Sequence, residues 1–144
     1  MVKALEVAKY IVQEALHRES PVSNLKLQKL LYFVQGVSLA LNNVPAFEDD
    51  IVAWKYGPVV EDVYYAYSMY GANDIIIPFE SDVNLTEKLK HVINLVLDEL
   101  LPVSAIALVN ETHLTGSPWH SVNLNAVIPN SNIKQYFLDN YMNK

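Results

Sequence analysis

The stretch from residue 24 to residue 41 is apolar on almost every side of a helix, and this pattern most constrains the fold. At about 100° per residue, apolar side chains form one face and also recur elsewhere around the helix. Gln28, Gln35 and Asn42 leave only a narrow polar strip. Such a helix must be covered on most sides, so we expect it at the centre of the fold. Its main face consists of Leu27, Leu30, Val34, Val37 and Leu41.

A first helix and a capping signal precede this central helix. Apolar residues recur at helical spacing over residues 3 to 18, which predicts an amphipathic helix with one face in the core. Ser23 or Asn24 is expected to cap the central helix, because either side chain can accept a hydrogen bond from a free backbone N–H group. Lys26 and Lys29 follow, and we expect them to place charge near its entrance.

A short β element is predicted after the central helix. Residues 51 to 56 are β-branched and aromatic, which favours a strand leading into Gly57 and Pro58. Residues 75 to 79 form the only other strand-like run, and they could pair with the first run. Pro78 within the second run predicts a position at the edge of the sheet, since proline donates no ladder hydrogen bond.

Four more helices are predicted beyond the first strand. Two acidic residues in the opening turn favour a third helix that Gly71 can close. A pattern resembling a capping box introduces a strongly apolar fourth helix that ends at Pro102. A fifth helix extends to about residue 113, and a short last helix follows Pro129. The residues assigned to begin these helices are Pro58, Asn84, Ser104 and either Asn130 or Ser131.

Together these segments predict a mainly α fold, α+β at most. We expect a single compact bundle of about five to six helices with a small two-stranded β element. A chain of 144 residues suits one domain, and no repeat, low-complexity tract or long linker divides it. The predicted domain therefore spans residues 1 to 144.

Composition favours a soluble protein of the cytoplasm. Hydrophobic residues make up 51% and charged residues 18%, which argues against intrinsic disorder. The chain has no cysteine, so it can form neither disulfides nor a thiol nucleophile. Early acidic residues at Glu6 and Glu14 do not fit a signal peptide, and no apolar run is long enough for a membrane span.

The formal net charge of −6 argues against nucleic-acid binding by the chain as a whole. Five basic residues nevertheless fall within the first 46 positions. A DNA-binding regulator of a mobile element or phage is therefore the alternative function. Its contacts would come from Lys3, Lys9, Arg18, Lys26 and Lys29.

Groups able to perform catalysis are sparse. Glu111, His113 and His120 are near one another in sequence but lack the spacing of metal ligands. Ser117 and Ser121 flank His120 without the Gly-x-Ser-x-Gly turn of an activated nucleophile. The four glycines are isolated, so no phosphate-binding loop is present. We expect no enzyme, cofactor or metal. The remaining alternative is an enzyme, a hydrolase or transferase that uses His113, Glu111 or His120.

Aromatic residues are more informative than charged ones. The chain has nine tyrosines and two tryptophans, which suit both cores and binding surfaces. Tyr65 and Tyr70 point away from the predicted buried stripe of the third helix, so they are the better candidates for an interface. His113, Trp119 and His120, around the turn after the fifth helix, are the other predicted partner-binding residues.

Several motifs in this order resemble the Panacea domain, the family of SocA-like antitoxins, also known as phage-associated proteins. The first is Asn-Leu-Lys-Leu-Gln-Lys-Leu-Leu-Tyr at residues 24 to 32, followed by Gln-Gly at 35 to 36. The second is Ala-Trp-Lys-Tyr-Gly-Pro-Val at residues 53 to 59. Thr-His at 112 to 113 and Pro-Trp at 118 to 119 complete the set. The similarity extends over nearly the whole chain.

The resemblance implies a small α-rich antitoxin domain that binds and neutralises a protein toxin encoded nearby. One member of the family is an adaptor that delivers its toxin to a protease, so a protease is a further implied partner. A homo-oligomer is compatible with the sequence. Related domains pair with unrelated toxins, which implies that the shared motifs maintain the fold. The motif residues interpreted as structural are Lys26, Leu27, Lys29, Leu30, Tyr32, Trp54, Gly57 and Pro58.

Overall fold

The computed structural model describes residues 1 to 80 and 84 to 142, in which six α-helices accompany one two-stranded sheet. Short 3₁₀ turns lie at Ser68–Tyr70 and Trp119–Ser121. The predicted class, mainly α with a small β element, is confirmed. The elements are α1 (Ala4–His17), α2 (Asn24–Asn42), β1 (Val52–Trp54), β2 (Gly57–Val59), α3 (Glu61–Ala66), α4 (Glu87–Leu100), α5 (Ala105–Thr112) and α6 (Asn130–Asn140).

Helix α2 lies at the centre, as its sequence predicts. It packs against α1, α4, α5, α6 and β2. Leu27, Leu30 and Val34 of its predicted face are fully buried. Val37 is partly buried, and Leu41, near the end of the helix, has 52% of its surface exposed. Burial of the long central helix against most other elements accounts for its nearly continuous apolar surface.

The predicted charged entrance of α2 is only partly correct. Ser23 is the cap, and its hydroxyl accepts a hydrogen bond from the Lys26 backbone N–H at 3.3 Å. The Lys26 side chain then donates to the Leu101 carbonyl at 2.6 Å. Lys29, however, is fully buried, because it lies one turn further along the helix beneath the β-hairpin.

Gln28 and Gln35 of the polar strip of α2 are also buried. Gln35 is fully buried, and its amide oxygen accepts a hydrogen bond from the Ala46 N–H at 2.7 Å while its nitrogen donates to the Phe47 carbonyl at 3.1 Å. Gln28 similarly accepts from the Val60 N–H at 2.9 Å. These side chains satisfy buried backbone groups of the segments that cross α2.

The sheet is a tight hairpin, so the predicted pairing of residues 51–56 with 75–79 is wrong. β1 pairs antiparallel with β2, and Trp54 lies opposite Gly57. Gly57 has a φ of +116°, a conformation that glycine adopts without strain. Residues 75–79 join another part of the fold, where the Ile75 N–H donates to the Val22 carbonyl at 2.8 Å.

One predicted helix start and two predicted caps are wrong. Pro58 lies in β2, and α3 begins at Glu61. Thr86, not Asn84, caps α4 by accepting from the Leu89 N–H at 3.1 Å. Helix α6 begins after Pro129 without a side-chain cap. The prediction for α5 is confirmed, since the Ser104 hydroxyl accepts from the Ala107 N–H at 3.1 Å.

Among the described residues, no single helix is both long and apolar enough to cross a membrane. α4 and α5 reach the required length and composition only as a pair, which is bent by 108°.

Candidate functional site

Trp54, at the end of β1, is the centre of an aromatic cluster formed with α3. Its ring meets Tyr64 edge-on at a centroid separation of 5.0 Å and Tyr65 at 6.1 Å. The two tyrosine rings also contact each other at 5.7 Å. Such edge-to-face pairs stabilise one another beyond the area they bury. The short hairpin therefore holds Trp54 against α3 in a defined orientation.

The segment that follows α5 makes further contacts with this cluster. The Trp119 indole N–H donates to the Trp54 carbonyl at 2.6 Å. The His113 ring stacks on Trp119 with a centroid separation of 3.9 Å. We call Trp54, Tyr64, Tyr65, His113 and Trp119 together the aromatic corner.

The outer side of the aromatic corner faces solvent. Tyr65 is 62% exposed, and Tyr56, at the hairpin turn beside it, is 59% exposed. Lys55 precedes Tyr56, and its ammonium lies 5.4 Å from the centre of that ring. Rigid tyrosines presented in this way bury large areas on binding and lose little conformational entropy.

The structure brings together three of the five residues predicted to bind a partner. Tyr65, His113 and Trp119 belong to the aromatic corner, and His120 is exposed beside it, 6.4 Å from the Trp119 ring. Tyr70 lies apart, where its hydroxyl donates to the Ile77 carbonyl at 3.1 Å.

Trp54 and Tyr56 are the residues that sequence reasoning did not assign to a binding surface. Both lie inside a family motif that was interpreted as structural. Trp54 ends β1 and Tyr56 lies in the hairpin turn, and the exposed Lys55 lies between them in sequence. Two aromatic residues that flank a charged one are the signal that could have identified this surface.

Lys29 lies buried beneath the aromatic corner. Its ammonium donates to the Pro58 carbonyl at 3.0 Å, the one hydrogen bond of this side chain among the described residues. Burial lowers the pKa of Lys29 to about 7, and no charge among the described residues opposes this effect. A Cβ on Gly57 would lie 2.8 Å from Lys29 Cε and 2.9 Å from Thr112 Oγ1. Glycine at this position therefore allows the hairpin to approach the lysine.

His113 adds a second polar group with little compensation. Its Nε2 atom is buried and has no hydrogen-bond partner among the described residues. Burial lowers the pKa of His113, and the positive charge of Lys29 lowers it further. The region below the aromatic corner thus contains two basic groups, and burial favours the neutral form of each.

A cavity of about 310 Å³ opens next to the aromatic corner. Trp54, Tyr56 and Tyr64 contribute aromatic walls. Lys29 and Lys55 also line it, and among the described residues no acidic side chain contributes to its lining. This combination suits an apolar group that carries a negative charge.

Glu111, His113 and His120 were considered for an alternative metal or catalytic site, and their surroundings differ from one another. Among the described residues, no group of three or more His, Asp or Glu side chains could hold a metal ion. Glu111 accepts a hydrogen bond from the Tyr141 hydroxyl at 2.6 Å, on the side of α5 that faces α6.

The basic residues of the first 46 positions are engaged within the fold. Lys3 pairs with Glu48 at 2.8 Å, Lys9 with Glu6 at 2.9 Å and Arg18 with Asp98 at 2.8 Å. Lys26 and Lys29 donate to backbone carbonyls. Each of these five cations therefore has a partner within the described part of the fold.

Comparison with known proteins gives a consistent result. The family model described as "Antitoxin SocA-like, Panacea domain" matches residues 27–120, which include the aromatic corner and Lys29. Antitoxin SocA from Caulobacter vibrioides (strain NA1000 / CB15N) is 32% identical over 133 residues, which cover 82% of this chain and 69% of that protein. No solved structure matches the chain significantly.

Proposed function

Because this chain belongs to the SocA-like antitoxin family with the Panacea domain, we propose that it neutralises a protein toxin encoded beside it by binding that toxin directly. The observation that carries the binding mode is the aromatic corner. Tyr65 of the aromatic corner and Tyr56 at the neighbouring hairpin turn are exposed on a short helix and a tight hairpin. Exposed aromatic residues with a fixed scaffold are typical of the energetic centre of a protein interface.

Direct binding also fits the chemistry of the corner. Tyrosine hydroxyls and the Lys55 ammonium supply polar contacts at the rim, while the rings of Trp54 and Tyr64 supply apolar area at the centre. The toxin would be blocked by occlusion of its own active surface, or held for degradation. The stability of the toxin in cells with and without this protein distinguishes these two routes.

The first experiment is co-expression of this chain with the adjacent reading frame. We expect the adjacent frame to arrest growth alone and the chain to restore growth. The double variant Tyr56→Ala, Tyr65→Ala should lose the rescue and bind the purified toxin at least roughly 10-fold more weakly, since each lost hot spot costs more than about 1 kcal/mol. Both side chains are exposed, so the variant should keep the wild-type circular dichroism spectrum.

Leu41→Ala is the matched control, because Leu41 is also exposed but lies at the far end of α2. It is about 24 Å from Leu25, which lines the cavity, at roughly 1.5 Å per residue. It should rescue growth as the wild type does. Rescue by the double variant at wild-type level would show that the toxin binds elsewhere. Failure of the wild-type chain to restore growth would refute neutralisation itself.

A further inference from the structure

Lys29 is an energetically unfavourable residue for the interior of a small domain. A buried ammonium loses its hydration, and one carbonyl acceptor replaces only part of it. Burial alone accounts for the lowered pKa of Lys29, and Lys29 in turn lowers the pKa of His113. No salt bridge to Lys29 exists among the described residues.

The fold itself gives little reason for a cation here. A methionine would fill nearly the same volume, and replacing buried charges with apolar side chains of similar size is often neutral or stabilising. The Pro58 carbonyl would lose one donor, a smaller cost than desolvating the ammonium. A buried basic group with one hydrogen-bond acceptor and no ion-pair partner among the described residues calls for an explanation.

The cavity beside the aromatic corner supplies that explanation. Lys29 and Lys55 both line it, and none of its described lining residues is acidic. The amides of Asn24 and Gln28, which also line it, are already occupied by each other and by backbone groups. The described lining is therefore basic and aromatic, and the carboxylate of Glu61 lies outside it, where it accepts a hydrogen bond from the Trp54 indole N–H at 3.2 Å.

We propose that this cavity receives a carboxylate of the bound partner, whose negative charge the Lys29 ammonium stabilises. Identification of the partner as the toxin rests on the proposed function. The carboxylate could belong to an aspartate or glutamate side chain or to the C-terminus of the toxin. In the free chain the lysine is uncompensated, and binding would supply the missing charge.

The decisive comparison is Lys29→Met against the wild-type chain. We expect the purified toxin to bind Lys29→Met roughly 30-fold or more weakly, because the carboxylate enters the cavity without its cation. Lys88→Met, at an exposed position near the start of α4, is the matched control and should bind as the wild type does. Equal binding by Lys29→Met and wild type would overturn the inference while leaving the proposed antitoxin function intact.

Stability measurements separate this role from a structural one. If Lys29 served only the fold, Lys29→Met would lower the midpoint of urea unfolding and weaken binding only through unfolding. We expect instead that the midpoint is unchanged or higher while toxin binding is lost. A lower midpoint together with binding restored at low temperature would contradict the inference.

A third measurement does not depend on the toxin. NMR titration of the Lys29 side chain should show its pKa rising in concentrated sodium acetate relative to sodium chloride of equal ionic strength, because acetate is a minimal carboxylate. An unchanged pKa would overturn the proposed chemistry. When the toxin replaces acetate, a Gly-Ser extension at the toxin's C-terminus should abolish the rise in the Lys29 pKa if the C-terminal carboxylate binds. Asp→Asn and Glu→Gln variants of the toxin should do so if a side chain binds.

Discussion

Lys29 shows at the scale of one residue how burial changes chemistry. Its ammonium has a pKa of about 7 in the folded chain, against about 10.4 for an unfolded lysine. Between these values the unfolded chain binds more protons, so the free energy of unfolding should rise with pH. The slope from one such group is at most about 1.4 kcal/mol per pH unit. This stability is present above the unfolded pKa and is lost as the pH falls through 7.

Urea unfolding of wild type and Lys29→Met from about pH 7 to about pH 9 measures this slope. The difference between the two proteins isolates Lys29 from the other titrating groups. We expect wild type to gain stability relative to the variant as the pH rises. A constant difference across the range would show that Lys29 titrates normally in the folded chain.

At the scale of elements, the contact between α2 and α6 depends on Gly36. A Cβ at this position would overlap the ring of Phe137, which is fully buried. Phe137 in turn packs edge-on against Tyr32 at 5.4 Å and Phe33 at 5.6 Å. Because Gly36 has no side chain, α6 can approach α2 closely and place the Phe137 ring in the core.

We expect Gly36→Ala to destabilise the protein by about 1–3 kcal/mol, despite the higher helix propensity of alanine, because it overpacks this contact. Phe137→Leu should lose stability on its own, since it leaves space around Tyr32. The double variant should lose less than the sum of the two single changes. Chemical unfolding of all four proteins measures this coupling, and strictly additive losses would contradict the predicted clash.

Elements with strong local signals were predictable from sequence, whereas others were not. The period of α2 and the cap at Ser104 are local features, and both predictions are confirmed. The partner of β1 was wrong because Gly57 and Pro58 appear as breakers, although a tight hairpin accepts both. Thr86 was missed because Asn84 fitted an equally plausible capping pattern.

At the scale of the whole molecule, α6 completes the core although the family match ends at residue 120. Ile133 and Phe137 are fully buried, and the Tyr141 hydroxyl donates to Glu111 at 2.6 Å. Removal of α6 would expose one side of the central helix α2. The described helices therefore depend on a segment that lies outside the matched family region.

We predict that a chain ending at residue 129 loses its cooperative unfolding transition, because apolar surface of α2 becomes exposed. Circular dichroism during thermal unfolding measures this loss. A synthetic peptide of residues 130 to 142 added in trans should restore the transition. A truncated chain that unfolds as cooperatively as wild type would show that α6 is dispensable.

The candidate site was predictable in its composition but not in its arrangement. Tyr65, His113 and Trp119 were identified from their positions off a buried stripe and around a turn. Their connection through Trp54 required the tertiary structure, because the Trp119–Trp54 hydrogen bond joins residues 65 positions apart. Tyr70 gave the same sequence signal as Tyr65, yet it lies elsewhere. Periodicity distinguishes helix faces but does not show what packs against them.

The sequence by itself determined the helical class, the central position of α2 and the resemblance to the antitoxin family. These properties depend on local periodicity, capping chemistry and motifs that are continuous along the chain. Only the tertiary structure decided the hairpin pairing, the solvent-facing side of the aromatic corner and the burial of Lys29. Each of these depends on contacts between distant segments, and a lysine near a helix start has the same local sequence whether water or a hairpin covers it.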